Sequence, residues 1–383
     1  MLRDAYVTGL GVCLPNDPVS NADMEKVLGR LKRQSASMKR RILMKNGITS
    51  RHYAIDPATG KVTHTNAKMT AEAILDLCRS AGFSVDDIAC MACGTSSADQ
   101  IIPAHASMVH AEVGCPPCEV VTISGVCCTG VSAFKYGFLN VAGGLHENAV
   151  VTGSELASPS LRASHFEPQI RLNQRNLEHQ PMLPFANEFL RWMLSDGAGA
   201  MLITSSPNEN ALSLRIDWVE IESFAHQSDV CMYFGMRKQD DGAIESYRTI
   251  DDEAELFRGG FLSLAQDVGV LTERLPTLMK EATERTAKKH RLKGSDVDWL
   301  LPHYSSQMFR QMLYDGLVEL DLEMPFEKWF TNLSSRGNTG AASIYIILQE
   351  LMASGMLRRG QRILCMVPES SRMLFGFIHF TVV

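Results

Sequence analysis

Glu119-Val-Val-Thr-Ile123, then Ser124-Gly-Val-Cys-Cys-Thr-Gly130, then Val131-Ser-Ala-Phe-Lys-Tyr-Gly-Phe-Leu-Asn-Val-Ala142 is the stretch on which the reading of this chain turns. The first part is β-branched and apolar over strand length, and the last is rich in small and apolar residues over helix length, so Glu119–Ile123 reads as a buried strand and Thr129–Ala142 as a helix. The unit recurs outward in both directions. Ala5–Val12, Ile88–Cys93, Ala149–Thr152 and Ala200–Thr204 read as further strands, and Asn66–Ala81 as an amphipathic helix. The second half repeats the alternation, with strands at Leu212–Glu222, Trp299–Leu301, Arg362–Val367 and Phe375–Val382, a helix over Glu253–Lys289 with a break near Val268–Gly269, and a helix over Thr339–Met356. Such a pattern predicts an α/β protein whose sheets are covered on both faces. The polar turn cluster Ser205-Ser-Pro-Asn-Glu-Asn210 is the best divider, giving halves at 1–206 and 207–383, and Ser158–Pro184 reads as a long insertion loop.

Composition sets the outer limits. At 383 residues, 45% hydrophobic and 21% charged, the chain can bury a large core. With 37 Lys+Arg against 43 Asp+Glu its net charge is −6, so no global field attracts nucleic acid, and an anionic partner needs a local basic cluster. The longest uncharged stretch, Val120–Phe134, is too short and too polar to span a bilayer. No secretory signal opens the chain, so a cytoplasmic address with reduced thiols is expected. Two Cys-x2-Cys pairs occur among the 10 cysteines. Cys90 and Cys93 would point to opposite faces of a strand, and the loop pair Cys115/Cys118 lacks a second pair to complete a tetrahedron, so neither a metal nor a cofactor is expected.

At the strand-to-helix junction Cys127 and Cys128 invite a functional reading. Unpaired amides and the dipole at a helix N-terminus favour an anion, which would lower a thiol's pKa. The alternative is that both are small buried residues. Two distant segments favour chemistry. His303, in Trp299-Leu-Leu-Pro-His303, should leave a strand at its exit, and Asn338, in Ser334-Ser-Arg-Gly-Asn338-Thr-Gly, should enter a helix. Cysteine to carry an acyl group, with His and Asn donating to an enolate oxygen, suits acyl transfer. Glu155, after the strand Ala149–Thr152, is a candidate base if burial raises its pKa; the alternative is a carboxylate bonded to a backbone turn. Seven basic residues and no acid lie between Arg30 and Lys45. Of these Arg40, Arg41 and Lys45 are the candidates for holding phosphopantetheine or an acidic carrier, and the absence of interleaved aromatics argues against nucleic acid.

Val126-Cys-Cys128-Thr-Gly, Leu301-Pro-His303, Arg336-Gly-Asn338-Thr and Ser195-Asp-Gly-Ala-Gly-Ala200 together resemble the ordered motifs of β-ketoacyl-acyl-carrier-protein synthase III. The resemblance covers essentially the whole chain. It implies the thiolase fold, two similar halves in a layered αβαβα arrangement, usually homodimeric, acting on acyl-CoA or acyl-carrier-protein thioesters. It places the nucleophile at Cys128, ahead of Thr129-Gly130. A narrower resemblance lies in Leu14-Pro-Asn-Asp-Pro-Val-Ser-Asn21, Arg40–Asp56 and Pro302-His-Tyr-Ser-Ser306, which look like the ketosynthase/cyclases of dialkylresorcinol and stilbene biosynthesis (the DarB/StlD type). That group joins a 3-oxoacyl thioester to an α,β-unsaturated acyl thioester and closes a 1,3-cyclohexanedione. Simple acyl transfer, as chain initiation or onto an oxygen or nitrogen, and a non-catalytic partner subunit are the competing readings. Two departures stand out: Tyr304-Ser-Ser306 after the histidine, and Glu369-Ser-Ser-Arg-Met373 where the family has a glycine-rich loop.

Overall fold

The computed structural model describes residues 2–31, 36–166, 189–239 and 241–383. The strands of its main sheet are β1 (Tyr6–Cys13), β2 (Cys90–Thr95), β3 (Glu119–Ser124), β4 (Asn148–Glu155), β5 (Gly197–Thr204), β6 (Leu214–Ser223), β7 (Trp299–Pro302), β8 (Arg362–Glu369) and β9 (Leu374–Val382). The main helices are α1 (Asn66–Ala81), α2 (His105–Val113), α3 (Thr129–Ala142), α4 (Val268–His290), α5 (Met308–Glu319) and α6 (Ser343–Ala353). The strands join in the order β7-β8-β9-β6-β1-β5-β4-β2-β3. The sheet is two copies of one pattern. In the N-terminal part β2 lies parallel to β3 and β4, and β5 is antiparallel to both β4 and β1. In the C-terminal part β7 is parallel to β8, and β9 is antiparallel to β8 and β6. Trp329, in an isolated parallel bridge with Leu300 of β7, stands where the counterpart of β3 would run. The parts join through just two residue pairs, Tyr6 with Arg215 and Val7 with Leu214.

Three apolar clusters fill the spaces between layers. Ile74, Leu77 and Val109 of α1 and α2 cover one face of the N-terminal sheet at Met91, Val150 and Leu202. Phe134 and Val141 of α3, with Tyr345 and Leu348 of α6, lie between Val151 and Ile203 of that sheet and Ile378 and Phe380 of the other. Leu275, Leu278, Phe309 and Leu313 of α4 and α5 cover the far face at Leu364 and Phe377. The order α, β, α, β, α follows from hydrophobic faces that only stacking can bury. Two expected elements differ. The helix expected over Glu253–Lys289 is a short helix Glu253–Arg258, a stretch containing the strand Ala265–Gln266, and then α4, because Gly259-Gly260 ends the first helix and Asp267 caps the second through its side chain. The stretch Ser158–Pro184 opens with a 3-10 turn over Ser158–Leu161, and its residues from 167 on lie outside those described.

Candidate active site

Cys128 is the N-cap of helix α3, and its side chain makes no capping hydrogen bond. The orphan amides there need an acceptor from elsewhere. Glu369, the last residue of β8, provides it: Oε2 accepts from the N–H of Cys128 at 3.0 Å and of Val126 at 3.2 Å, and Oε1 accepts from the Ser371 hydroxyl. The Cys128 thiol, with 0% exposure, donates to the carbonyl of Val367 at 2.8 Å. Cys127, at 8%, is the cysteine that lines the adjoining cavities. Burial first, and then the Glu369 carboxylate, pushes both thiols well above the usual range. This corrects the expectation of a lowered thiol pKa. At rest the helix terminus is already answered by a carboxylate, and desolvation prevails.

His303 directly follows β7, and its N–H bonds to Met366 O at 2.8 Å, extending the β7–β8 pairing by one residue. Burial lowers its pKa to about 4, so near neutrality the imidazole is uncharged and presents one N–H donor. Asn338 is pinned through its backbone, with its N–H on Met193 O and its C=O accepting from Ser195 N, both at 2.8 Å. Its Oδ1 accepts from Gly340 N at 2.9 Å, which leaves the amide N–H groups for the cavity. The segment carrying Asn338 can approach the sheet only over glycines. A Cβ on Gly130 would lie 2.3 Å, and one on Gly153 2.2 Å, from the carbonyl oxygen of Ala341.

His303, Asn338 and Cys127 meet in a narrow cavity of about 30 Å³ that runs among apolar side chains of α4 and α5. A wide cavity of about 780 Å³ shares Cys127, Asn338 and Met232 with it and is bordered by Glu155, Tyr233 and Arg372. Glu155 ends β4. Its Oε2 accepts from the hydroxyls of Ser96 at 2.6 Å and Ser97 at 2.7 Å, and its Oε1 from the amides of Ser96 and Ala341 at 3.3 Å each. Burial nevertheless pushes its pKa up to about 7 against those hydrogen bonds. Cys127, Asn338 and Glu155 therefore share one cavity wall, whereas Cys128 lies behind it.

Arg40, Arg41 and Lys45 are exposed on the helix Ala36–Asn46, and none lines either cavity. Lys32 and Arg33 of the same basic cluster lie outside the described residues. Lys39 is paired with Glu25 at 3.0 Å. The loop pair Cys115/Cys118 has a third neighbour that spacing alone does not disclose, since His110 brings a ring nitrogen within 4.8 Å of both sulfurs. Its Nε2, however, already faces the carbonyls of Cys115 and Pro116 at 3.1 and 3.2 Å. Sequence reasoning also misses Ser96 and Ser97, because nothing local ties them to a carboxylate 58 or 59 residues away. Asp196, which in the sequence is only one member of a motif, is a buried bolt whose carboxylate accepts from the amides of Ala54, Ala157 and Ser158.

Residues 287–367 match the family described as 3-oxoacyl-[acyl-carrier-protein (ACP)] synthase III C terminal. Over 373 residues the chain is 27% identical to a β-ketoacyl-[acyl-carrier-protein] synthase III of Streptomyces coelicolor, spanning 95% of this chain and 93% of that protein. The fold superposes on AbyA1, a tetronic acid condensing enzyme, with a TM-score of 0.77 at 18% identity, covering 98% of this chain and 99% of that one. It superposes on Xanthomonas campestris OleA, solved with bound lauric acid and lauroyl-CoA, with a TM-score of 0.72 at 15% identity and full coverage of both chains at 100%. Among the described residues no helix is long and apolar enough to cross a membrane. The chain is thus similar along 95% of its length to a synthase III condensing enzyme, its match to the synthase III C-terminal family lies at residues 287–367, and its layered double sheet is the fold of the solved condensing enzymes.

Proposed function

We propose that the protein condenses a 3-oxoacyl thioester with an α,β-unsaturated acyl thioester through an acyl-Cys128 intermediate and closes the product to a 2,5-disubstituted 1,3-cyclohexanedione. The observation that carries this reading is Glu155, a buried carboxyl with its pKa raised to about 7 on the wall of the wide cavity. A decarboxylative condensation generates its carbanion by losing carbon dioxide and needs no such group. A 3-oxoacyl thioester must instead give up a proton from the carbon between two carbonyls, and a carboxyl poised near neutrality is suited to take it. In loading, the Cys128 sulfur attacks the donor carbonyl and the donor thiol leaves. In condensation, neutral His303 and the Asn338 amide donate to the second thioester's oxygen, Glu155 takes the proton between the two carbonyls, and the carbanion adds to the β-carbon of the enoyl group carried on Cys128. The carbon on the other side of the ketone then attacks the acyl-Cys128 carbonyl and expels the Cys128 thiol. Hydrolysis of the remaining thioester by water, with loss of its carbon as carbon dioxide, leaves the cyclohexanedione. The wide cavity, which meets the narrow one at Cys127, Asn338 and Met232, has room for an acyl chain approaching that centre.

Donors are acyl-CoA or acyl-carrier-protein thioesters in this reading; the Streptomyces coelicolor relative is a synthase named for the acyl-carrier protein, and OleA holds lauroyl-CoA. Arg40, Arg41 and Lys45 supply positive charge for a carrier at the surface. A homodimer fits the half-exposed edge strand β3, whose unpaired rim is a liability unless another strand covers it. The halves divide at 206/207, in the turn between β5 and β6. The test is mass spectrometry of products from purified protein given mixed 3-oxoacyl and enoyl thioesters. A cyclohexanedione is expected, and only linear condensation or hydrolysis products would refute the cyclase reading.

A further inference from the structure

At rest the oxyanion donor of Cys128 is taken. Its N–H, with that of Val126, is bonded to Glu369, and one N–H cannot serve a carboxylate and a thioester oxygen together. Loading makes the conflict sharper. When sulfur adds to the donor carbonyl, the oxygen gains a full negative charge while the carbon–sulfur bond to the leaving thiol is still intact, and a carboxylate in the same place repels it. Glu369 must therefore move before the oxyanion can form.

The hairpin that carries Glu369 is held from one side. Ser371 O accepts from the amides of Cys231 at 2.8 Å and Met232 at 3.3 Å, Met373 O accepts from Phe224 at 2.8 Å, and Arg372 Nε donates to Ala225 O at 3.2 Å. Met232, Ser371 and Arg372 also border the wide cavity. A donor lying there touches the hairpin and its support together, so its remote contacts can be used to shift the carboxylate.

We infer that Glu369 is a specificity-determining residue of the loading step: its carboxylate occupies the oxyanion hole of Cys128 until a donor with sufficient hold on the wide cavity displaces it. Short thioesters lacking that hold load slowly, and full-length carriers load well. The inference rests on Cys128 being the acylated residue. The displaced carboxylate remains an acceptor for Ser371 and solvent, so no bond beyond those of ordinary thioester exchange is made or broken.

The test compares loading of Cys128 from a coenzyme A thioester and from the N-acetylcysteamine thioester of the same acyl group, followed by intact mass, in the wild type, Glu369→Ala and Glu369→Gln. Glu369→Ala is expected to raise the rate for the short donor about ten-fold, as for loss of one charged hydrogen bond, while the full-length donor gains far less. Glu369→Gln keeps an acceptor oxygen without the charge and should fall between, which also keeps the inference testable if the alanine variant folds poorly. Removing the carboxylate should also speed alkylation of Cys128 by anionic iodoacetate more than by neutral iodoacetamide, an effect that a merely structural role would not give. Equal change for both donors, or slower loading of both, overturns the inference while leaving Cys128 as nucleophile. A wild type that never carries the acyl group at Cys128 removes the reading of that residue and the inference with it.

Discussion

The thiol of Cys128 donates to the carbonyl of Val367 at 2.8 Å, while the amide of the same residue donates to Glu369, two positions further along β8. One strand of the C-terminal half thus holds both the thiol proton and the backbone N–H of a residue from the N-terminal half. The neighbouring Cys127 instead faces the cavities. The adjacent cysteines are therefore separable by experiment.

Cys128→Ala should abolish acyl-enzyme formation and Cys127→Ala should leave it largely intact, because only Cys128 stands at the start of α3 with its own amide available once Glu369 is displaced. Intact mass after thioester treatment, with peptide mapping, gives the answer. Acylation that survives in the Cys128 variant would move the nucleophile to Cys127.

Glu155→Gln keeps shape and hydrogen bonding but removes basicity. Loading should stay near normal while condensation falls by about 10²–10⁴-fold. In the wild type the condensation rate should climb with pH through about 7 and then level, and the Gln variant should lose that step. Single-turnover kinetics that follow the two half-reactions separately would detect it. A Gln variant condensing at the wild-type rate would exclude Glu155.

The same carboxyl predicts a stability change of definite sign. Its folded pKa, about 7, lies above the ordinary 4.5, so the folded state binds the proton more tightly. Its contribution is fully present below pH 4.5 and is lost as pH rises through 7, by up to about 3 kcal/mol. Glu155→Gln should therefore gain stability relative to wild type between pH 4.5 and 7, as read by denaturant melts. A pH-independent difference would mean that the carboxyl is not desolvated.

Charge reversal at Arg40, Arg41 and Lys45 should raise the KM for a carrier-bound acyl donor more than for a short thioester. The wild-type advantage should shrink as salt rises, since exposed charges act mainly on encounter. Equal loss with both donors would make the helix structural.

Gly153→Ala places a methyl 2.2 Å from the Ala341 carbonyl oxygen. Backbone must give way there, at a cost of about 1–3 kcal/mol, and the segment holding Asn338 should shift with it. The expected result is a lower melting temperature together with a fall in kcat at unchanged loading. An unperturbed variant would show that this close approach does not position Asn338.

Much of the fold is legible in the sequence because it is written locally. The β-branched run Glu119–Ile123 and the small, apolar Thr129–Ala142 carry their own periodicities, and Gly82 ends α1 at Ala81 by its positive φ of 62°. The helical pattern over Glu253–Lys289 misleads, because Gly259-Gly260 outweighs a periodicity that continues on both sides of it. Cys127, Cys128, His303, Asn338 and Glu155 stand out as candidates because each sits at the end or entry of an element that the sequence marks, and Cys128 is preferred to Cys127 only through the resemblance to the synthase III motif.

The sequence by itself determined an alternating α/β protein with covered sheets and which side-chain types are available for chemistry, since periodicity and turn residues act over neighbouring positions; the layered double plan came from its resemblance to the synthase III motifs. It could not say which of two adjacent cysteines faces a cavity, that Ser96 and Ser97 hold Glu155, or that Glu369 closes the amide of Cys128. Those facts join residues as far as 241 positions apart. They exist only once stacking of the layers has excluded water and forced each buried polar group to find whatever partner the packing brings near.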